Sequence, residues 1–168
     1  ETGGAITTGV NNVLIGALAG DALTDADFNV AMGYQALTTD TLGSQSTAIG
    51  HHALQTQNFS TATNSGNTAL GYQAGKSVTT GQYNTLIGSQ AGQTAQTAAN
   101  STFVGYGAGY NTTGSANTFI GRRSGAGAGE EVTSGAKNVI IGGYNGNQDS
   151  LDIRTSNNNI VLSDGDGN

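Results

Sequence analysis

The stretch NTALGYQAGKSVTTGQY, residues 67–83, decides the fold, because the chain repeats it along its length. The following residues read NTLIGSQAG (84–92), and related segments read NVLIGALAG (12–20) and NTFIGRRSG (117–125). Each unit has Asn, then Thr or Val, two apolar residues, Gly, two variable residues and usually Ala-Gly, followed by a polar tail. A short unit repeated at nearly constant spacing predicts a solenoid.

The glycine after the apolar pair marks the register of the repeat. It recurs at Gly16, Gly33, Gly50, Gly71, Gly88, Gly105, Gly121 and Gly142, and Ser163 takes its place in a ninth copy. The steps between these marks are 17, 17, 21, 17, 17, 16, 21 and 21 residues. We therefore expect about nine rungs of 16–21 residues, with the extra residues in bulged loops of the polar tails, at 55–66, 126–137 and 143–158.

The apolar block of each unit predicts a short strand rather than a helix, since it is brief, flanked by Gly and Asn, and rich in β-branched residues. In a strand, the residue before the register glycine shares a face with the residue two positions earlier. We expect this face to fill the coil. The predicted coil core is Ile15, Met32, Ile49, Leu70, Ile87, Val104, Ile120, Ile141 and Leu162.

The residue between those two positions points to the opposite face and is also apolar. A strand that is apolar on both faces is buried on both, and one thin coil covers only one of them. We therefore predict lateral packing against further copies of the chain, because an exposed apolar stripe would be an aggregation hazard; the alternative is a flattened coil with the stripe exposed. The predicted interface is Leu14, Ala31, Ala48, Ala69, Leu86, Phe103, Phe119, Ile140 and Val161.

A column of polar residues precedes the apolar blocks. It contains Asn12, Asn29, Asn67, Asn84, Asn117, Asn138 and Asn159, with Ser46 and Ser101 as substitutes. We interpret it as a side-chain ladder at a corner of the coil. The chain has no Pro, which agrees with rungs that must all donate backbone hydrogen bonds to their neighbours.

Composition limits the possible functions. The chain has 5 basic and 11 acidic residues, so no basic patch is available to bind nucleic acid. It has no Cys, and no apolar run long enough to span a bilayer or act as a signal peptide. Residues 1–146 are interpreted as solenoid repeats, and 147–168 as a final rung and a transition towards a missing C-terminal region.

The AIG, NTALG and NTFIG repeats with trailing Ala-Gly resemble the head repeats of trimeric autotransporter adhesins. They resemble more closely the repeat shafts of bacteriophage tail fibres, and the final LDIRTSNNNIVLSDGDGN is similar to what leads into the distal part of such fibres. The resemblance covers residues 7–168. It implies a left-handed parallel β-roll, with three chains side by side in a homotrimer, acting in attachment outside a cell. The 17-residue step is longer than that of the adhesin heads.

Several side chains are candidate metal ligands. The His51-His52 pair, contributed by three chains around a threefold axis, could bind a transition metal, or it could be a plain surface pair. Asp164 and Asp166 resemble the opening of a calcium loop, but a Gly-rich hairpin turn explains the same residues and is the interpretation we favour. A group of acidic residues in adjacent tails could hold Ca²⁺ weakly or form a solvated face: Asp21, Asp25, Asp27 and Asp40. We assign no metal and no cofactor from the sequence.

Catalytic patterns find little support, so we expect no enzyme. Glycoside hydrolysis needs two carboxylates at a fixed separation, whereas Glu130 and Glu131 are adjacent in a Gly-rich insertion. The GAGAG segment at 125–129 lacks the strand-to-helix context of a nucleotide site. The variable pairs after the register glycine, such as Tyr34-Gln35 and Tyr72-Gln73, could stack on sugars, but we favour a role in covering the coil flank.

Three functions fit the sequence. The favoured one is a structural and attachment segment of a trimeric phage tail fibre, a stiff rod that presents a receptor-binding tip to a host cell-surface glycan or protein. The second is the head of a trimeric autotransporter adhesin on a bacterial cell surface. The third is an ice-binding solenoid, suggested by Thr7-Thr8, Thr38-Thr39, Thr79-Thr80 and Thr112-Thr113; it requires a regular array, which the 21-residue turns are expected to break.

Overall fold

The computed structural model describes residues 1–121, 128–148 and 150–164, and these ranges contain strands but no helix. The strands are β1 Val13–Ile15, β2 Val30–Met32, β3 Gly43–Ser44, β4 Thr47–Ile49, β5 Thr63–Asn64, β6 Thr68–Leu70, β7 Thr85–Ile87, β8 Thr102–Val104, β9 Thr118–Ile120, β10 Val139–Ile141, β11 Asn147–Gln148, β12 Leu151–Asp152 and β13 Ile160–Leu162.

One parallel sheet runs the length of the molecule. It contains nine strands in the order β1-β2-β4-β6-β7-β8-β9-β10-β13, and the chain returns to it once per repeat. The fold is therefore an all-β parallel solenoid, as the repeat predicted, with about eight turns where the sequence predicted about nine rungs.

The register glycines mark the observed strand pairing. Ile15 pairs with Met32, and Leu70 pairs with Ile87, each residue standing directly before its glycine. The pairing also holds across a 21-residue turn, where Thr47 lies beside Thr68. Extra residues in a long turn therefore stay outside the sheet.

Glycine is required at the register position because successive turns approach closely there. Gly33 has a φ of +129°, and a Cβ atom added to it would lie 2.6 Å from the carbonyl oxygen of Gly50. No side chain fits that space, and few adopt that backbone conformation.

The predicted orientation of the two strand faces is wrong. The middle residue of each strand points into the coil, not towards another chain: Ala31, Ala48, Ala69, Leu86, Phe103, Phe119 and Ile140 are fully buried, with Leu14 and Val161 packed against the same core. The residues predicted to fill the coil point outward instead. Ile15, Leu70, Ile120, Ile141 and Leu162 are exposed, and Met32, Ile49, Ile87 and Val104 are partly exposed.

The width of the coil explains this reversal. A three-residue strand places one side chain on one face and two on the other. The interior also receives an Ala from most turns, such as Ala74 or Ala91, and in several turns an apolar residue further on, such as Val78. The narrow interior accommodates the single side chain, and the pair is left outside.

The Asn column forms the predicted ladder. The Asn29 side chain is buried; its Oδ1 accepts from the backbone N–H of Ser46 at 2.8 Å, and its Nδ2 donates to the carbonyl of Gly43 at 2.9 Å. Asn84 repeats this arrangement with Ser101 and Ala98. Each amide thus ties its own corner to the next turn and satisfies buried backbone groups.

The three longer turns accommodate their extra residues differently. In the turn of 55–66, Thr63–Asn64 pairs in parallel with Gly43–Ser44. In the turn of 143–158, β11 and β12 form an antiparallel hairpin. The third predicted insertion, at 126–137, lies partly outside the described residues; in its described part, the N–H of Gly109 donates to the Ala128 carbonyl, which places Ala128 directly beside Ala108.

Candidate interaction face

The outward side of the nine-stranded sheet is the main unpartnered surface of the described chain; we call it the outer face. One of its columns is Val13, Val30, Thr47, Thr68, Thr85, Thr102, Thr118, Val139 and Ile160, and the other is the aliphatic column from Ile15 to Leu162 that the sequence had placed inside. Ile15 is 53% exposed and Leu70 45% exposed. With strands about 4.8 Å apart, the face is a strip on the order of 40 Å long.

Five successive strands give the outer face a regular pattern. Each has Thr at its first position and an aliphatic residue at its last, from Thr47 and Ile49 in β4 to Thr118 and Ile120 in β9. The pairs stay aligned because the sheet keeps its register through turns of 16, 17 and 21 residues. Within the described residues, no hydrogen bond involves these five Thr hydroxyls. They are free to contact a partner or water.

Charge is nearly absent from the middle of the rod. No Asp or Glu stands between Asp40 and Glu130, and Lys76 is the only charged residue between Asp40 and Gly121. An apolar strip without nearby charge can approach an identical strip without repulsion.

An aromatic column borders the outer face after the register glycines. The ring centroids of Tyr34 and His51 lie 5.3 Å apart, and those of His51 and Tyr72 lie 5.4 Å apart at an angle of 21°. The rings thus contact one another along the rod, with His51 between Tyr34 and Tyr72. These contacts agree with a role in covering the coil flank.

His52 lies beside this column in an unusual environment. Both of its ring nitrogens are shielded from solvent, and neither has a hydrogen-bond partner among the described residues. Its pKa is lowered from 6.5 by burial, with further contributions from His51 and Lys76. No group of three or more His, Cys, Asp or Glu in the described ranges of the single chain could hold a metal. A site shared by the histidines of three chains stays a prediction.

The predicted acidic cluster does not assemble. Asp25 accepts from the Thr8 hydroxyl at 2.6 Å, and Asp27 accepts from the Val10 N–H at 2.7 Å. Asp40 is instead fully buried inside the coil. Asp164 is exposed, and Asp166 lies outside the described residues.

Asp40 belongs to a buried polar network that the sequence reading missed. Its carboxylate accepts from the N–H groups of Gly43 and Phe59, and from Gln57 Nε2 at 2.6 Å. Gln57 Nε2 also donates to Ser46 Oγ, and its oxygen accepts from Asn67. The available signal was position: Asp40 follows Leu23, a core residue, by one 17-residue step.

The fold and its outer face define a β-solenoid repeat protein. No protein-family model matches the sequence, and no curated protein or solved structure is significantly similar to it. Among the described residues there is no helix of the length and hydropathy that a membrane span requires.

Proposed function

We propose that this chain is a structural and attachment segment of a trimeric fibre of the phage tail-fibre type, a stiff rod that presents a tip for host recognition. The observation that carries the proposal is the outer face, an unbroken aliphatic column on all nine strands of the sheet. A strip on the order of 40 Å by 10 Å has the size at which exposed apolar patches mark interaction sites.

A second copy of the same chain is the partner that fits this surface best. The strip repeats at every turn with its register kept, so an identical strip lying alongside it presents the same residues at the same spacing. Symmetry then closes the assembly around an axis parallel to the rod, which buries the same face on every copy. The number three and the left-handed winding rest on the resemblance to fibre and adhesin repeats.

Stiffness is the mechanical contribution of this segment. Each turn donates backbone hydrogen bonds to the next, both in the sheet and at the opposite corners, where the N–H of Leu54 donates to Ala74 at 3.1 Å. Bending the rod would stretch these bonds together with the Asn ladder. The proposed rod therefore spaces and orients a tip, and receptor contact falls to loops or to that tip.

Light scattering on the purified chain tests the proposal. We expect three times the monomer mass of 16.7 kDa. Combining Leu70→Glu with Ile120→Glu places charges on the outer face and should give monomers. Tyr83→Glu is the matched control, because Tyr83 is 55% exposed but lies at a corner and not on the outer face. A monomer mass for the unmodified chain, or equal dissociation by the control, would overturn the proposal.

Ice binding is a second candidate, now favoured by a different set of residues. The Thr pairs that the sequence suggested for an ice-binding array do not form one. Thr112 is buried, and the Thr39 hydroxyl donates to the carbonyl of Gln55. The outer-face threonines of β4 and β6–β9 are regular instead, and the long turns leave them aligned. Thermal hysteresis that Thr85→Tyr abolishes would support this candidate; hysteresis equal to that of a protein control would exclude it.

A further inference from the structure

His52 occupies a column that holds glutamine in three other turns, including the two neighbouring ones, and Leu18 and Gly107 in two more. Gln35, Gln73 and Gln90 stand at the same place after their register glycines, and all share a left-handed backbone with φ between 54° and 62°. Gln35 Oε1 accepts from Gln55, and Gln73 Oε1 accepts from Gln93, each across neighbouring turns. The His52 imidazole makes no such bond within the described residues.

Among the described residues, no acidic group contributes to the pKa of His52. Its ring centroid lies 3.9 Å from that of His51 and 5.6 Å from that of Tyr34. Tyr72 stacks on His51 from the next turn, and the positive charge of Lys76 contributes to lowering the pKa of His52. The nearest acidic residue in the preceding turn, Asp40, lies inside the coil and is occupied by three donors.

We propose that His52 forms an acid-sensitive contact between neighbouring turns of the solenoid. The neutral ring packs against the aromatic column, whereas the protonated ring would be a cation whose shielded nitrogens have no acceptor among the described residues. On acidification the ring leaves its place, which loosens the contacts between the turns of Tyr34, His51 and Tyr72. This inference does not depend on the proposed fibre function.

The direction of the effect follows from linkage. The pKa of His52 is lower in the folded chain than its ordinary value of 6.5, so the unfolded chain binds the proton more readily. The stability contributed by the neutral ring is complete above pH 6.5 and is lost as the pH falls below it.

Hydrogen exchange and proton NMR on the whole chain at pH 7.5 and pH 5 test the proposed effect of His52 protonation. The N–H groups of His52 and Gln73, which donate to the carbonyls of Tyr34 and His51, should lose protection several-fold at pH 5 after correction for intrinsic exchange. His52→Gln should abolish this loss, since glutamine is the residue of the neighbouring turns. His51→Tyr, matching Tyr34 and Tyr72, should keep His52 in place and retain a loss at low pH.

Two results would overturn the proposal. One is a His52 ring that titrates at its ordinary pKa in the folded chain. The other is a pH-dependent loss of protection of the same size in His52→Gln as in the unmodified protein. Because both variants carry residues already present in the same columns, a folding failure is not expected to obscure the comparison.

Discussion

The ring of Phe103 fills the space that a side chain on Gly109 would need: a Cβ atom there would lie 2.7 Å from ring atoms Cδ2 and Cε2. Two other turns show the reverse arrangement, in which Ala31 and Ala48 on the strands accompany buried Leu37 and Leu54 at the position equivalent to Gly109. The two positions therefore exchange volume: a large side chain at one accompanies a small one at the other, and the interior stays densely packed.

Gly109→Ala should destabilise the rod by about 1–3 kcal/mol, because it overpacks the core against Phe103 and introduces a side chain at a φ of +62°. Phe103→Ala should cost about 3–5 kcal/mol by leaving a cavity. Combining Phe103→Ala with Gly109→Leu reproduces the Ala48 and Leu54 arrangement and should recover part of the loss. Urea unfolding of the unmodified protein, Phe103→Ala, Gly109→Leu and the double variant measures this, and a double variant destabilised by the sum of Phe103→Ala and Gly109→Leu would contradict volume exchange.

Asn84→Ala should destabilise the chain by about 2–4 kcal/mol, since it leaves the Ser101 N–H and the Ala98 carbonyl without their buried partner. Asn84→Ser should cost less, because serine occupies the same column at Ser46 and Ser101. Thermal unfolding followed by circular dichroism provides the comparison. Equal losses in the two variants would show that the side-chain hydrogen bonds do not carry the effect.

Asp40→Ala should cost about 3 kcal/mol or more, because three buried donors lose their acceptor. Asp25→Ala is the control, since Asp25 is exposed and accepts from a single side chain, the Thr8 hydroxyl; its effect should be small. Chemical denaturation distinguishes the two. A small effect at Asp40 would mean that the interior adapts to the loss of the network.

Acid should loosen the hairpin of β11 and β12. Hydrogen bonds from Arg154 lower the pKa of Asp152 from 3.8 to about 2, and the two side chains approach to 2.7 Å. A depressed carboxyl pKa adds stability above the unfolded value, and that stability is lost as the pH falls from about 4 towards 2. The effect should be modest, because both groups are exposed to solvent.

An NMR titration of the Asp152 carboxyl checks this prediction. Arg154→Gln should return the pKa towards its ordinary value while the sheet of nine strands stays intact. A low pKa that persists in Arg154→Gln would assign the shift to another group.

The sequence predicted the register of the sheet and the Asn ladder, because both depend on spacing alone. It did not predict which face of each strand lies inside. The usual guide is alternation of apolar and polar residues, and strands such as Val139–Ile141 are apolar throughout. Variation in size was the informative signal: the inward column ranges from Ala48 to Phe103, since a later residue compensates, whereas the outward column from Ile15 to Leu162 stays large.

The hidden Asp40 network escaped prediction for a related reason. Acidic residues are rarely buried unless paired, and its partners Gln57 and Phe59 lie in the following turn. Some Thr residues line the outer face, whereas others lie inside the coil or bond to a carbonyl of the next turn. Which of these a Thr does depends on the backbone path of its turn, and residue spacing alone does not determine that path.

Strand register is maintained across turns of 16, 17 and 21 residues, so the reach of this molecule depends on its number of turns and not on its number of residues. Each turn advances the rod by about 4.8 Å, whatever it carries on its flank. A peptide grafted between Phe59 and Gly66 would therefore change what the surface displays without altering the distance between the two ends. The surface loops of the solenoid can therefore vary in sequence and size while the length of the rod stays the same.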